Sequence, residues 1–332
     1  MKAIIFHETG DPDILKYEDV DDPVISEGDV IIDVKATTLN SVDLKLRSGK
    51  SPRPVDLPHI GGVDIAGEIV QTGEGVASVE VGDRVIVMPA VRSEKGVQIV
   101  GVNLYGGFAE KVKIPATNVI KIPDELSYDD ASIIVTTYTT AWYALVERGN
   151  IQEGQTVLVH AAGSGTGSAA IQVAKYFNSY VIATAGSDEK LEKAKEIGAD
   201  FTINYKTDDV SEKLKEATKE HKINLIFDPV GASMWKDNLQ FLSPKGKLLL
   251  VGVSGGGIVE STSLGPIIIK DLDILGVTVF NAKPEHFKKV AELTAEGKLK
   301  PIIFRKLPLS EAAEGHKILE NREQFGKVVL IP

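Results

Sequence analysis

Residues 157–167 read Val-Leu-Val-His-Ala-Ala-Gly-Ser-Gly-Thr-Gly, an apolar stretch that runs directly into a turn of small residues. This order predicts a β-strand over 157–160, a tight turn, and a helix that begins around Gly167 and Ser168. Such a turn suits the pyrophosphate of a dinucleotide, because small residues let the backbone approach and the helix N-terminus offers free N–H groups. The alternative is a purely structural turn, since glycine-rich strings are common. The predicted cofactor-binding residues of the turn are Ser164, Gly165, Thr166 and Gly167.

Segments on the C-terminal side of the turn favour cofactor binding, because they alternate between strand and helix. Helices are predicted up to residue 177 and over 188–197, where Gly198 ends the second one. Further strands are predicted at 181–184, 201–204, 225–227 and 248–251. Fully apolar strands that alternate with amphipathic helices are typical of a parallel sheet covered on both faces.

The end of the second predicted strand bears on which nicotinamide cofactor the turn accepts. Residues 183–187 read Ala-Thr-Ala-Gly-Ser, with no carboxylate before Asp188. A site for NAD usually has an acidic residue here that accepts from the ribose hydroxyls, whereas a 2′-phosphate needs cations or hydroxyl donors. Ser187, Lys190 and Tyr205 are therefore predicted to bind the phosphate of NADPH. In the alternative interpretation Ser187 caps a helix and Lys190 is a solvated surface charge; both can hold, because an N-cap is also an anion position.

The first third of the chain has a different character, with short β-branched segments broken by glycine, proline and aspartate. Short strands at irregular spacing indicate a barrel-like or sandwich domain. One helix is predicted over 42–47, with Ser41 as its N-cap and Gly49 at its end, and another from 128 to about 148. The predicted strands are 3–6, 30–34, 67–71, 84–87 and 110–114.

Composition excludes several classes of protein. A chain of 332 residues allows two domains, and a net charge of −10 argues against nucleic acid or an anionic membrane surface as partner. Cysteine is absent, which excludes disulfides, thiolate catalysis and cysteine-containing zinc sites, and the six histidines show no metal-ligand spacing. No apolar stretch approaches the length of a membrane span or of a signal-peptide core, so we expect a cytoplasmic protein.

Six short motifs occur in an order that is specific, although each motif is weak alone. They are Leu-Asn-Ser-Val-Asp at 39–43, Gly-Val-Asp-Ile-Ala-Gly at 62–67, Gly-Gly-Phe-Ala-Glu at 106–110, Thr-Thr-Ala at 139–141, the turn at 157–167, and Gly-Lys-Val-Val-Leu at 326–330. Together they cover essentially the whole chain. The chain resembles the zinc-independent quinone oxidoreductase branch of the medium-chain dehydrogenase/reductase superfamily, the branch of zeta-crystallin and the enoyl reductases.

The resemblance implies an α/β fold, in which a GroES-like β-barrel catalytic domain is joined to a Rossmann domain with a doubly wound parallel sheet. The implied boundaries are 1–125 for the GroES-like domain, 126–270 for the Rossmann NADP-binding domain, and 271–332 for the end of the Rossmann sheet and a return to the catalytic domain. That return explains a tail with a helix near 311–321 and a strand at 328–331 but no core of its own. The resemblance also implies a homodimer, because residues 273–280 resemble the edge strand that joins two Rossmann sheets in relatives.

The resemblance also suggests where the chemistry takes place. Zinc-dependent relatives use a Gly-His-Glu motif and a cysteine as ligands; here Val63, Asp64 and Asn40 stand at the His, Glu and Cys positions, so we expect no metal. Asn40 resembles the family's active-site asparagine, a catalytic and cofactor-binding residue, although a buried asparagine that bonds the loop backbone is the alternative. Ser51 stands where enoyl-thioester reductases often carry a proton-donating tyrosine, which leaves water as a proton source. The residues implied to contact the nicotinamide are Thr139, Gly252 and Val253; Tyr105 and Tyr138 either line the substrate cleft or pack.

The vacant zinc positions limit the feasible chemistry. Reduction of an isolated carbonyl puts charge on one oxygen, which zinc would stabilise, whereas hydride addition to an enone spreads the charge into an enolate that hydrogen-bond donors can stabilise. The predicted function is therefore NADPH-dependent hydride transfer to a quinone or an electrophilic alkene such as an enone or alkenal. One alternative is a reductase of a short enoyl-CoA such as acryloyl- or crotonyl-CoA, which a basic cluster of Lys45, Arg47, Lys50 and Arg53 would favour. Another is a non-catalytic NADPH-binding structural protein, as some crystallins of the family are.

Overall fold

The computed structural model describes residues 1–52, 55–94 and 96–332, which form two compact units. The first unit contains Met1–Thr136 together with Lys283–Pro332, and the second contains Thr137–Ala282. The chain therefore builds part of the first unit, then the whole of the second, and then returns to the first. The boundaries after residues 125 and 270, which the sequence placed between the catalytic and cofactor-binding domains, stay a prediction.

The two units contain strands and helices in different proportions. The strands are β1 (Lys2–Ile5), β2 (Lys16–Asp19), β3 (Asp29–Thr38), β4 (Asp64–Thr72), β5 (Arg84–Val87), β6 (Ala90–Ser93), β7 (Gly96–Ile99), β8 (Lys111–Pro115), β9 (Val119–Lys121), β10 (Thr156–Val159), β11 (Tyr180–Ala185), β12 (Phe201–Asn204), β13 (Ile223–Asp228), β14 (Leu242–Leu250), β15 (Asp273–Gly276), β16 (Ile303–Pro308) and β17 (Lys327–Ile331). The α-helices are α1 (Ser41–Arg47), α2 (Tyr128–Ile133), α3 (Thr139–Trp142), α4 (Gly165–Tyr176), α5 (Asp188–Glu196), α6 (Val210–Ala217), α7 (Trp235–Phe241), α8 (Gly265–Lys270), α9 (Pro284–Ala295) and α10 (Ala312–Glu320). Within the described part of the chain, no helix is both long and apolar enough to cross a membrane.

The second unit is built on a six-stranded parallel sheet with the order β12-β11-β10-β13-β14-β15. The first strand of this unit is central and the strand order reverses beside it, which is the doubly wound arrangement of a Rossmann fold. Its strands are apolar on both faces because helices cover the sheet; Leu158, Ile182, Ile226 and Leu248 are completely buried in one core. The parallel sheet predicted from the alternating pattern is confirmed.

The first unit is built on a seven-stranded sheet with the order β16-β17-β3-β4-β5-β9, in which β8 also pairs with β3. All pairs are antiparallel except β16 with β17. The tail joins this sheet, since Val329 lies opposite Thr38. Ile318 of the tail helix shares a buried core with Ile4 and Leu39. In the structure the tail thus packs on the N-terminal part of the chain, and it contributes β16, a strand that was not predicted.

Candidate functional site

The glycine-rich turn links the central strand β10 to helix α4. Ser164 is the N-cap of this helix, and its Oγ accepts a hydrogen bond from the Gly167 N–H at 3.0 Å. The helix begins at Gly165, so the predicted start at Gly167 and Ser168 is wrong by two residues, because the serine cap lies earlier in the turn. Gly167 is required here, since a Cβ atom at this position would lie 2.2 Å from the Ala161 carbonyl oxygen. Ser164, Gly165 and Thr166 are half-buried, so this helix N-terminus faces outward at the position that binds a pyrophosphate in Rossmann folds.

The three residues predicted to select the cofactor lie next to this turn. Ser187 is the N-cap of α5 and accepts from the Lys190 N–H at 3.4 Å. A Cβ on Gly163 would lie 2.7 Å from the Lys190 Cδ, so the lysine side chain runs along the glycine turn. A Cβ on Gly186 would lie 2.5 Å from the Tyr205 hydroxyl oxygen, which places this phenol at the end of β11. The structure thus brings the turn, Ser187, Lys190 and Tyr205 together, and the capping role of Ser187 is observed.

Asp188, the residue after Ser187, is held in place by an asparagine at the end of the third strand of the second unit, β12. Asp188 Oδ1 accepts a hydrogen bond from Asn204 Nδ2 at 2.7 Å. Because one carboxylate oxygen is engaged by an amide, Asp188 has less capacity to accept from the hydroxyls of a ribose.

The residues implied to contact the nicotinamide differ in exposure. Gly252 and Val253 follow β14 at the carboxyl edge of the sheet, where the Gly252 N–H donates to the Asp228 carbonyl at 3.3 Å and Val253 is half exposed. Thr139 lies in α3, which packs on α4, and is fully buried. Tyr138 is also buried, and its hydroxyl accepts from Gln172 Nε2 at 2.8 Å, so it serves as a packing residue within this unit.

A buried polar chain beneath the turn was missed by sequence reasoning. Asn238 Nδ2 donates to Asp228 Oδ2 at 2.8 Å, so its Oδ1 accepts from His160 Nε2 at 2.8 Å. His160 Nδ1 then accepts from the Thr184 hydroxyl at 3.0 Å. The chain joins the carboxyl ends of β10, β11 and β13 to helix α7. Its members are far apart in sequence, and no local pattern signals their contact.

In the first unit, Asn40 is the N-cap of α1 and the centre of a second polar cluster. The prediction of Ser41 as N-cap is wrong, because the Asn40 N–H donates to Asp43 Oδ2 at 2.8 Å and so starts the helix one residue earlier. The Asn40 Oδ1 accepts from Lys327 Nζ at 2.6 Å and from the Thr136 hydroxyl at 3.2 Å. Its Nδ2 donates to Asp64 Oδ2 at 2.8 Å and, through a long contact of 3.4 Å, to the Thr38 carbonyl.

Lys327 and Asp64 form a buried ion pair within this cluster. Their Nζ and Oδ2 atoms are 3.6 Å apart, and Lys327 Nζ also donates to the Leu39 carbonyl at 2.6 Å. Asp64 is fully buried and accepts from the Thr38 hydroxyl at 2.5 Å and from the Thr136 N–H at 3.0 Å. Burial lowers the pKa of Lys327, while the nearby carboxylates of Asp64 and Asp43 oppose this shift. Because an ammonium group can only donate hydrogen bonds, the atom of the Asn40 amide that faces Lys327 must be the oxygen.

The residues at the zinc positions do not fit a zinc ion. Val63 is fully buried and has no ligating atom, and an ammonium already lies among Asn40 and Asp64. Across residues 1–52, 55–94 and 96–332, no three His, Asp or Glu side chains form a group that could hold a metal.

The basic cluster suggested for a CoA phosphate is only partly supported. Arg47 is 1% exposed and bonds to Gly10 and Glu320, so its assignment to a surface cluster is wrong; the helix turns this side chain into the core. Lys50 is exposed, and Arg53 lies outside the described residues. Ser51 is half-buried after the end of α1. Tyr105 is 55% exposed and its hydroxyl donates to the Pro58 carbonyl at 3.3 Å.

Comparison with known proteins agrees with this architecture. Residues 26–124 match the family profile described as alcohol dehydrogenase GroES-like domain, and residues 165–296 match that described as zinc-binding dehydrogenase. The chain is 32% identical to a quinone oxidoreductase of Lama guanicoe, over all of this chain and 97% of the relative. It is 31% identical to an acryloyl-coenzyme A reductase of Metallosphaera sedula, over 99% of each.

Solved structures give the same result for the fold. An Escherichia coli quinone oxidoreductase complexed with NADPH superposes with a TM-score of 0.88 at 29% identity, with complete coverage of both chains. A structure described as an NAD-dependent alcohol dehydrogenase superposes with a TM-score of 0.93 at 34% identity, again over all of both chains.

The GroES-like unit, the Rossmann sheet and the turn at its central strand define an oxidoreductase that uses a nicotinamide cofactor. The chain belongs to the medium-chain dehydrogenase/reductase superfamily and, within it, to the quinone oxidoreductase-like group.

Proposed function

We propose that the protein transfers hydride from NADPH to a quinone or an α,β-unsaturated carbonyl compound without the help of zinc. The observation that carries the proposal is the cluster of Asn40, Asp64 and Lys327: Asn40 and Asp64 stand at two of the family's zinc-site positions, and both contact the Lys327 ammonium. A bound NADPH would supply the hydride. Without a Lewis acid, the acceptor best served is one that delocalises the incoming negative charge itself.

The preference for NADPH is supported by the group beside the glycine turn. Ser187 and Tyr205 offer hydroxyl donors, and Lys190 offers a cation that is matched to a 2′-phosphate. The nearby Asp188 is bonded to Asn204, which weakens it as a ribose acceptor. The pyrophosphate would lie at the N-terminus of α4, with Thr139, Gly252 and Val253 nearer the nicotinamide.

Asn40 is proposed to donate a hydrogen bond to the oxygen that gains charge. One of its two amide hydrogens is held at Asp64, whereas the other makes only the long contact of 3.4 Å with the Thr38 carbonyl. This weakly bonded hydrogen is the donor available to an enolate or quinol oxygen. Ser51 carries only a weakly acidic hydroxyl at the position where a proton-donating tyrosine is expected. We therefore propose that water protonates the enolate.

The test compares acceptors at fixed NADPH concentration: a quinone, an enone, an alkenal, and the saturated ketone that matches the enone. We expect turnover with the conjugated acceptors and little with the ketone. Asn40→Ala should lower enone turnover, and loss of one preorganised donor costs roughly 3–4 kcal/mol at most. Comparable reduction of the ketone, or enone turnover that is unchanged in Asn40→Ala, would contradict the proposal.

A second candidate function is the reduction of a short enoyl-CoA. It is favoured by the similarity of the chain to the acryloyl-coenzyme A reductase of Metallosphaera sedula. The burial of Arg47 removes part of the basic cluster that would support it. Acryloyl- and crotonyl-CoA therefore belong in the same panel of acceptors, and a much higher kcat/KM with either would favour this candidate. A protein that binds NADPH but turns over none of these acceptors would match the structural, non-catalytic alternative.

The cytoplasmic location of the protein stays a prediction.

A further inference from the structure

A small cavity lies inside the first unit, between β1, α1 and α10. Its apolar wall includes Ile4, Leu46 and Phe108, and its polar wall is formed by Asp43, Arg47 and His316. It leaves about 10 Å³ for the centre of a water-sized molecule. A single water needs roughly 10–15 Å³ by this measure, so the cavity excludes anything larger.

The polar wall contains buried atoms that lack hydrogen-bond partners in the described part of the chain. They are Arg47 Nε and both ring nitrogens of His316, and each of the two residues is 1% exposed. The other nitrogens of Arg47 are satisfied, since Nη1 donates to the Gly10 carbonyl at 2.7 Å and Nη2 bonds Glu320. Buried polar groups in folded proteins are nearly always bonded to protein or to ordered water, so this concentration in one cavity indicates an occupant.

The chemistry of the wall distinguishes a water from an anion. Burial lowers the pKa of His316 to about 3, and the charge of Arg47 adds to the effect. The ring is therefore neutral near pH 7, with one nitrogen that donates and one that accepts. An anion could bond the Arg47 Nε–H but could not donate to the accepting ring nitrogen of His316. A water can do both.

We propose that the cavity binds one water molecule, which accepts a hydrogen bond from Arg47 Nε and donates to a ring nitrogen of His316 and to the Asp43 carboxylate. The Asp43 carboxylate also accepts from the Asn40 and Gly62 N–H groups, at 2.8 and 3.2 Å. The water therefore links the tail helix α10 to the start of α1, and through Asp43 to the backbone of Asn40. This site is independent of the proposed function.

The direct test is a crystal structure of the wild-type protein grown with sodium bromide and measured at the bromine absorption edge. We expect a density peak within hydrogen-bond distance of Arg47 Nε and His316, without anomalous signal. An anomalous peak there would show that the site binds halide, and absence of any peak in well-ordered density would show that it binds nothing; either result overturns the proposal.

A pair of variants tests the polar contacts. His316→Phe removes both ring nitrogens but keeps an aromatic ring, whereas His316→Gln keeps a donor and an acceptor. Oxygen-17 magnetic relaxation dispersion counts internal water molecules with long residence times. We expect the count to fall by one in His316→Phe and to be unchanged in His316→Gln. An equal count in wild type and His316→Phe would contradict the water assignment, and the wild-type crystal structure decides the matter if a variant does not fold.

Discussion

At the nucleotide turn, the Lys190 side chain runs along Gly163 while its backbone N–H donates to the Ser187 cap. A charge-assisted hydrogen bond to a 2′-phosphate is worth roughly 1.5–3 kcal/mol. We therefore expect Lys190→Ala to weaken NADPH binding about tenfold or more and to leave NADH binding nearly unchanged, as measured by fluorescence titration. Lys193→Ala is the matched control, because Lys193 lies on the same helix and pairs with the exposed Glu189. Equal losses for both cofactors in Lys190→Ala would make Lys190 a structural residue.

The ion pair of Lys327 and Asp64 leads to a prediction about stability and turnover. Lys327→Met leaves Asp64 as an uncompensated buried charge, which typically costs about 3–5 kcal/mol, and it frees the Asn40 Oδ1 from its ammonium donor. We expect a lower melting temperature and a lower kcat, with the Kd for NADPH unchanged. Lys327→Arg keeps the cation and should lose less on both measures.

The control for this variant is Lys298→Met, because Lys298 pairs with Glu296 at an exposed position. Loss of an exposed pair changes stability by at most about 1 kcal/mol. If Lys327→Met were as mild as this control, the buried pair would not support the Asn40 cluster.

His316 makes stability depend on pH in a defined direction. Its pKa is lowered to about 3 by burial in the folded chain, whereas an unfolded histidine titrates near pH 6.5. Below about pH 6.5 the unfolded state binds a proton that the folded state does not, so stability falls as pH decreases towards 3. Urea unfolding at pH 7, 5 and 4 should show a smaller acid loss in His316→Phe than in wild type. Parallel losses in the two proteins would contradict the prediction.

Among the elements, the junction of β10 and α4 tolerates no side chain at its third glycine. A Cβ on Gly167 would meet the Ala161 backbone carbonyl at 2.2 Å, so the turn must shift. Overpacking of this kind costs about 1–3 kcal/mol, and we expect Gly167→Ala to weaken NADPH and NADH about equally, by roughly tenfold or more. Gly265→Ala is the control, since its new Cβ would make an ordinary 3.4 Å contact with Ser263. A loss confined to NADPH would show that the turn does not hold the shared pyrophosphate.

For the whole molecule, we propose a homodimer that forms through the second unit. Strand β15 is the last strand in its sheet, and the preceding segment exposes Ile258, Leu264, Ile268 and Ile269, the last to 85%. An exposed apolar patch next to an open edge strand is typical of an interface. We expect sedimentation of a dimer at micromolar concentration and a shift to monomer in Ile269→Lys. Val24→Lys, at a highly exposed position in the first unit, should remain dimeric; a stable wild-type monomer would contradict the proposal.

Local sequence patterns were sufficient to predict those strands and turns whose structure depends on residues close together in the chain. The strand and turn at 157–167 were predictable because apolar periodicity and small residues act within one short segment. The N-cap of α1 was misplaced because Asn40 and Ser41 are both good caps, and the choice depends on Asp43. The roles of Lys327 and His160 could not be predicted, since Lys327 bonds Asn40 across 287 residues and His160 bonds Asn238 across 78.

The pairing of β17 with β3 also sets an order of events during protein synthesis. The second unit is one continuous segment, Thr137–Ala282, and can fold as soon as it leaves the ribosome. The N-terminal strands must wait for about 190 further residues before β17 emerges to complete their sheet and to bring Lys327 to Asp64. At roughly 5–20 residues per second, this delay is on the order of 10–40 seconds. During translation the edge of β3 that pairs with β17 therefore stays open, and this is the interval in which a chaperone would be of most use to the nascent chain.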